Sequence, residues 1–282
     1  MEIGLSSCGK VSEGLFREYA EAGIRFMELS LGSDICDHLD MKDIRKMAND
    51  YGITLWSFHL PFSPFSRLNP ASLSEELRLS TVSYFEELIL KTTDQGMDKF
   101  VIHASGEPIA PENRSESMKR AKESLNTLCD FAYEHGAVLA VEDLPRTCLG
   151  NCSKEILDIL SVNDRMRVCF DTNHLLTEDP EAFVRAVGSK IITTHVSDFD
   201  FINERHWLPG EGKLDWQKLI NVLKEVGYSG VWMYEIGFDC PKTIFRDRPL
   251  NCFDFVENAK ALFEGKVPKI FSRPKPNLGM WE

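Results

Sequence analysis

Short apolar runs alternate with longer amphipathic runs eight times along this chain, and that alternation restricts its fold more tightly than any other feature. The short runs are EIGLSS (2–7), RFMELS (25–30), ITLWSFHL (53–60), KFVIHAS (99–105), AVLAVED (137–143), RVCFD (167–171), IITTHVSD (191–198) and GVWMYEI (230–236). Most are too short for buried helices and rich in Val, Ile and Phe, as parallel strands covered on both faces require.

Between them lie helical patterns. Segment 72–95 opens with Ser72 and spaces Leu73, Leu77, Val82, Phe85, Leu88 and Ile89 along one helix face. Segment 118–136 ends on Gly136, a natural C-cap, and segment 214–230 starts at an Asp cap candidate and stops at Gly227. The pattern predicts an α/β fold, a single (β/α)8 barrel over residues 1–264. A doubly wound open sheet is the competitor, but it uses fewer strands, and the Gly-rich dinucleotide fingerprint is missing after the first run. The length of 282 residues, 43% of them hydrophobic, suits one such barrel. The Pro-rich, basic segment 265–282 reads as a C-terminal extension packed on the surface or on a neighbour through Phe271 and Trp281, which leaves a homo-oligomer open.

A net charge of -12 and no run of Lys and Arg argue against a nucleic-acid partner, unless bound metals or a local patch reverse the field. The eight cysteines form no C-x-x-C pair, so a zinc ribbon or a thioredoxin-like site is not expected; Cys148 and Cys152 flank a Gly-Asn turn that could bring them together. The N-terminus lacks a basic region followed by an apolar run, and no stretch is long enough to span a membrane. The expectation is a reduced, cytoplasmic protein that acts on a small molecule.

In a barrel, the C-terminal ends of the strands surround one mouth. In order, those ends carry Ser6 or Ser7, Glu28, His59, His103, Glu142, Asp171, His195 and Glu235. Each has a plainer explanation alone. His59 and His103 could be core histidines bonded to backbone carbonyls, Glu142 could start a solvated loop, and Asp171-Thr172-Asn173 could be a turn or helix cap. Together they are costly to bury in one place, and a divalent cation would compensate them.

The motifs VED (141–143), FDTNH (170–174), HVSDFD (195–200), HWLPGEGKLDW (206–216) and YEI (234–236), in this order, resemble those of the xylose isomerase-like barrels. That superfamily holds sugar and sugar-phosphate isomerases and epimerases, ketose 3-epimerases, inosose-processing enzymes and, more distantly, apurinic endonucleases. The resemblance runs from the first strand to about residue 262. It implies one divalent metal on Glu142, Asp171, His195 and Glu235, with Glu142 and Glu235 doubling as catalytic acid and base. Three carboxylates and one imidazole suit Mn²⁺ best, with Zn²⁺, Co²⁺, Fe²⁺ and Mg²⁺ as alternatives. Contacts to a sugar, sugar phosphate or polyol substrate are expected from His174, His59, His103 and His206, and from Arg205 as a grip for a carboxylate or phosphate; no Gly-rich phosphate cradle decides whether the substrate is phosphorylated. The LPGEG loop is typical of the ketose epimerase branch, with Gly210 and Gly212 allowing a tight turn beside the mouth.

The implied chemistry is proton transfer. A bound metal would engage a carbonyl and a neighbouring hydroxyl and would stabilise an enediolate, with one glutamate placed to remove the adjacent proton and the other to return one. Return to the opposite face epimerises; return to the adjacent carbon interconverts aldose and ketose. A trinuclear-zinc apurinic endonuclease-like phosphodiesterase is the alternative. Its ligands match His59, His103, Glu142, Asp171, His174, His195, His206 and Glu235, with Glu204 where that family has Asp. A keto-sugar dehydratase or lyase would use the same groups for β-elimination, and a sugar-sensing barrel with a decayed site is opposed by the intact ring. Trp56, Phe58, Phe62, Phe65, Phe199 and Trp207 near strand ends or loops are candidates for stacking on a sugar or for core packing.

Overall fold

In the computed structural model, which describes residues 1–280, all eight apolar runs are strands: β1 (Glu2–Ser6), β2 (Phe26–Ser30), β3 (Thr54–His59), β4 (Lys99–His103), β5 (Val138–Glu142), β6 (Arg167–Asp171), β7 (Ile191–His195) and β8 (Val231–Tyr234). They pair in parallel in the order β7-β6-β5-β4-β3-β2-β1-β8. Strand β1 has β2 on one side and β8 on the other, which an open sheet of the doubly wound kind would not give. The circle closes where Val196 N donates to Met233 O (2.8 Å) and Glu235 N to Val196 O (3.3 Å). The fold is the (β/α)8 barrel the alternation predicts.

Around it lie α1 (Glu13–Glu21), α2 (Ser33–Cys36), α3 (Met41–Tyr51), α4 (Glu75–Thr93), α5 (Arg114–Glu134), α6 (Ser153–Leu160), α7 (Pro180–Val187), α8 (Trp216–Glu225) and α9 (Cys252–Phe263). Helix α4 is capped by Ser74, whose hydroxyl accepts from Leu77 N; Ser72 accepts from Ser74 N one step earlier. Asp215 caps α8 by accepting from Lys218 N at 3.2 Å. Apolar faces of these helices and outward strand residues such as Phe100, Leu139, Val168 and Phe170 make the main core.

Inside the barrel, side chains follow the two-residue period of a strand. Val101, Ala140 and Cys169 form a small buried cluster of their own. The next residues of the same parity on those strands are His103, Glu142 and Asp171, so the apolar plug carries the polar mouth directly above it. At the other end of the barrel the β2–β3 register slips between Met27 and Glu28, leaving Trp56 out of step. Its indole donates to Thr193 Oγ1 at 3.1 Å, while Lys99 Nζ lies 4.3 Å from the ring. Trp56 therefore seals the barrel floor and is no candidate for a sugar platform.

Beyond the barrel, β9 (Ile244–Arg246) pairs antiparallel with β10 (Ser272–Pro274). Phe271 N donates to the buried Glu211 (3.3 Å), which also pairs with Arg246 (3.1 Å). Trp281 lies outside the described residues. All eight cysteines are free, Cys148 and Cys152 included. No helix among the described residues is long and apolar enough to cross a membrane.

Candidate metal centre

Four strand ends bring ligand atoms of Glu142, Asp171, His195 and Glu235 to within 4.8 Å of one another. His195 Nδ1 lies 2.9 Å from Glu142 Oε1, 3.7 Å from Glu235 Oε2 and 3.9 Å from Asp171 Oδ2. Glu142, Asp171 and His195 are buried, while Glu235, one residue past β8, is partly exposed. The remaining groups of Asp171 are already engaged: its N–H donates to Asp143 Oδ1 (2.8 Å) and its Oδ1 accepts from Asn173 N (2.6 Å). Its Oδ2 is buried with no hydrogen-bond partner. An unpartnered carboxylate oxygen facing two further carboxylates and an imidazole is an arrangement that a divalent cation satisfies.

The electrostatics agree. Burial, reinforced by the charges of Glu235 and Glu142 and opposed by His174, pushes Asp171 up to about 7. Burial also opposes the charge on Glu142, but His195 and His103 outweigh it and hold the carboxyl well below its usual range. His59 Nε2 and His103 Nε2 each lie 3.0 Å from Glu142 Oε2, so with His195 at 2.9 Å three imidazoles are in hydrogen-bond range of this one carboxylate.

His174 stands beside the quartet. Its Nδ1 meets Asp143 O at 2.8 Å and is 3.6 Å from Glu142 Oε1; its Nε2 is 3.2 Å from Glu204 Oε2. His206 Nδ1 lies 3.1 Å from Glu235 O. His174, Glu204 and His206 form a second cluster whose ligand atoms lie within 4.8 Å of one another. Above these groups opens a cavity of about 160 Å³ whose wall includes Phe62, Phe65, His103, Glu107, Arg146 and Glu204. Phe62 lies flat on His103, with centroids 4.4 Å apart.

The structure thus brings nine of the expected or alternative site residues to one mouth: His59, His103, Glu142, Asp171, His174, His195, Glu204, His206 and Glu235. Two do not stand where the sequence suggests. Glu28 sits in the middle of β2, not at its end, and lies beneath the quartet bonded to His195 and to Ser57 Oγ. The buried Arg205 donates from Nε to Asp200 Oδ2 (2.9 Å) and from Nη2 to Gly279 O (2.7 Å), tying its loop to the C-terminal segment. A guanidinium held in this way acts as a loop anchor and not as a grip for a substrate anion. Phe58, Phe199 and Trp207 are fully buried core residues.

The glycines of LPGEG serve Asp198. Gly210 has φ +96, and its N–H donates to Asp198 Oδ2 at 2.8 Å. A Cβ on Gly212 would lie 2.2 Å from Asp198 Oδ1. Sequence reasoning missed Arg146 and Glu107, which line the cavity from the loops after β5 and β4. No period marks a loop residue, and the only signal was the polar character of those loops.

Residues 16–249 match the family model described as a xylose isomerase-like TIM barrel. An inosose isomerase of Bacillus velezensis is 27% identical over 174 residues, which span 57% of this chain and 59% of that relative. A D-psicose 3-epimerase of Agrobacterium fabrum is 24% identical over 212 residues, 70% of this chain and 68% of the relative. A solved structure of a D-tagatose 3-epimerase-like protein superposes with a TM-score of 0.78 at 24% identity, covering 94% of this chain and 96% of that one, and shares its fold.

Proposed function

The chain belongs to the xylose isomerase-like TIM barrel family, and we propose that it is a divalent-metal-dependent isomerase or epimerase of a sugar or polyol. One observation carries this reading: the Glu142, Asp171, His195 and Glu235 quartet, with the orphaned Asp171 Oδ2 at its centre. Its similarity to an inosose isomerase and a ketose 3-epimerase supports the same reading. Three carboxylates and one imidazole favour Mn²⁺.

Bound there, the ion would supply a Lewis acid beside the substrate carbonyl and its neighbouring hydroxyl. Glu142 ends β5 and Glu235 follows β8, strands that are not neighbours in the barrel. One carboxylate removes the proton beside the carbonyl, and the other returns one. His103 and His206 stand at the mouth as partners for hydroxyls, whereas both ring nitrogens of His59 and of His174 already face protein acceptors: Leu60 O and Glu142 for His59, Asp143 O and Glu204 for His174. Phe62 stacks on His103 with one face and remains partly exposed beside the mouth.

The His174, Glu204 and His206 cluster favours a second reading, a trinuclear-zinc phosphodiesterase. A screen separates the two. Mn²⁺-loaded protein is assayed on keto-sugars, aldoses and inososes, and zinc-loaded protein on duplex DNA with an abasic site. Conversion of a sugar that stops on chelation and returns with Mn²⁺ is expected. Zinc-dependent incision with no sugar converted would replace the isomerase reading.

A further inference from the structure

Among the described residues lining the cavity, Arg146 is the only lysine or arginine, and each of its guanidinium nitrogens faces a protein acceptor. Nε donates to Glu107 Oε2 at 3.0 Å, and Nη2 donates to Glu107 Oε1. Nη1 donates to Asn203 Oδ1 at 2.7 Å and lies 3.1 Å from Glu204 Oε1. The Nε/Nη2 edge is one that holds a phosphate or carboxylate through two parallel hydrogen bonds. Here Glu107 covers that edge. A second lobe of the mouth, about 420 Å³, shares Phe62, His206 and Glu235 with the first, and no lysine or arginine is among the described residues lining it.

We propose that Glu107 is a specificity-determining residue: by covering Arg146 it makes the cavity select a neutral polyhydroxy substrate over its phosphate ester, an inference that presupposes the isomerase or epimerase reading above. A phosphate dianion entering this cavity would lose water without meeting an unpaired lysine or arginine, and away from the metal quartet it would face the carboxylates of Glu107 and Glu204. Uncompensated burial of charge is expensive. Hydroxyl groups meet no such barrier, since carboxylates accept from them and imidazoles can donate to them. Arg146 keeps its place because it holds Glu204 against His174 and joins the loops after β4 and β5.

The test replaces Glu107 and leaves Arg146 in place. Inorganic phosphate is titrated calorimetrically into metal-stripped wild type, Glu107→Gln and the double variant Glu107→Gln/Arg146→Gln. Wild type should bind more weakly than about 10 mM, and Glu107→Gln roughly tenfold tighter or more, the scale of one charge-assisted pair. The double variant should lose that gain. In a second arm, kcat/KM is compared for a sugar and its phosphate ester. Wild type should favour the free sugar, and Glu107→Gln should shift the ratio toward the ester by roughly tenfold or more. Glu107→Ser serves the same purpose if Glu107→Gln does not fold. Sub-millimolar phosphate binding by wild type, preference of wild type for the ester, or an unchanged phosphate affinity in a well-folded Glu107 variant would overturn the proposal. If no sugar is turned over at all, the isomerase reading falls, and the phosphate titration still decides whether Glu107 screens Arg146.

Discussion

Nε2 of His195 lies 3.0 Å from Oε2 of Glu28, a carboxylate in the middle of β2 that also accepts from Ser57 Oγ at 2.8 Å. One ring nitrogen is thereby committed beneath the site, and Nδ1 is left to face Glu142, Asp171 and Glu235. A carboxylate behind a ligand histidine fixes the ring and raises its basicity. Glu28→Gln should therefore weaken divalent-metal affinity by about 10–100-fold, measured by competition with a chromophoric chelator. Unchanged affinity would mean that Glu28 only fills the barrel.

Glu142→Gln and Glu235→Gln should each lower turnover by at least ~100-fold, the usual worth of a positioned acid or base. Both are also expected ligands, so metal content is measured on the same samples. Near-normal exchange of the substrate proton with solvent in both metal-loaded variants would remove the two-base scheme.

Metal binding should be linked to pH through Asp171. In stripped protein its carboxyl is held up to about 7, first by burial and then by Glu235 and Glu142. A cation must displace that proton, so affinity should rise as pH increases and fall by up to about tenfold per unit below 7. Calorimetry at pH 6 in two buffers of different ionisation heat should show release of about one proton per cation. Equal affinities at pH 6 and pH 8 would contradict the linkage.

Much of this centre was legible in the sequence, for a physical reason. A buried strand that ends in Asp171 or Glu142 needs a partner for its charge, and the eight strand ends of one barrel must converge. Glu28 looked like another end residue. Its position two residues before Ser30, where β2 stops, sets it a layer lower while keeping it on the inward face. Trp56 was displaced by a register slip that no composition reports. Arg205 is held by the carbonyl of Gly279, 74 residues away in sequence. The Arg146 and Glu107 pair joins two loops, where neither period nor capping pattern exists to mark it.

The LPGEG loop yields a stability test. Asp198 accepts from Phe199 N (2.9 Å), Leu214 N (3.2 Å), Gly210 N (2.8 Å) and Trp216 Nε1 (2.8 Å). A methyl group on Gly212 would intrude 2.2 Å from its Oδ1 and 2.4 Å from Phe199 O. Gly212→Ala should destabilise the fold by about 1–3 kcal/mol, the range for overpacking. A lowered urea midpoint at constant m-value checks it; an unchanged midpoint would show that the loop yields freely.

The most direct measurement is deuterium incorporation. Mn²⁺-loaded protein is incubated with keto-sugars and inososes in D₂O, and the carbon beside the carbonyl is followed by NMR. Metal-dependent incorporation is predicted for at least one substrate, stopped by chelation and strongly reduced in Glu142→Gln and Glu235→Gln. Absence of exchange across the panel in protein proven to carry its metal, or exchange that persists after chelation, would contradict the account.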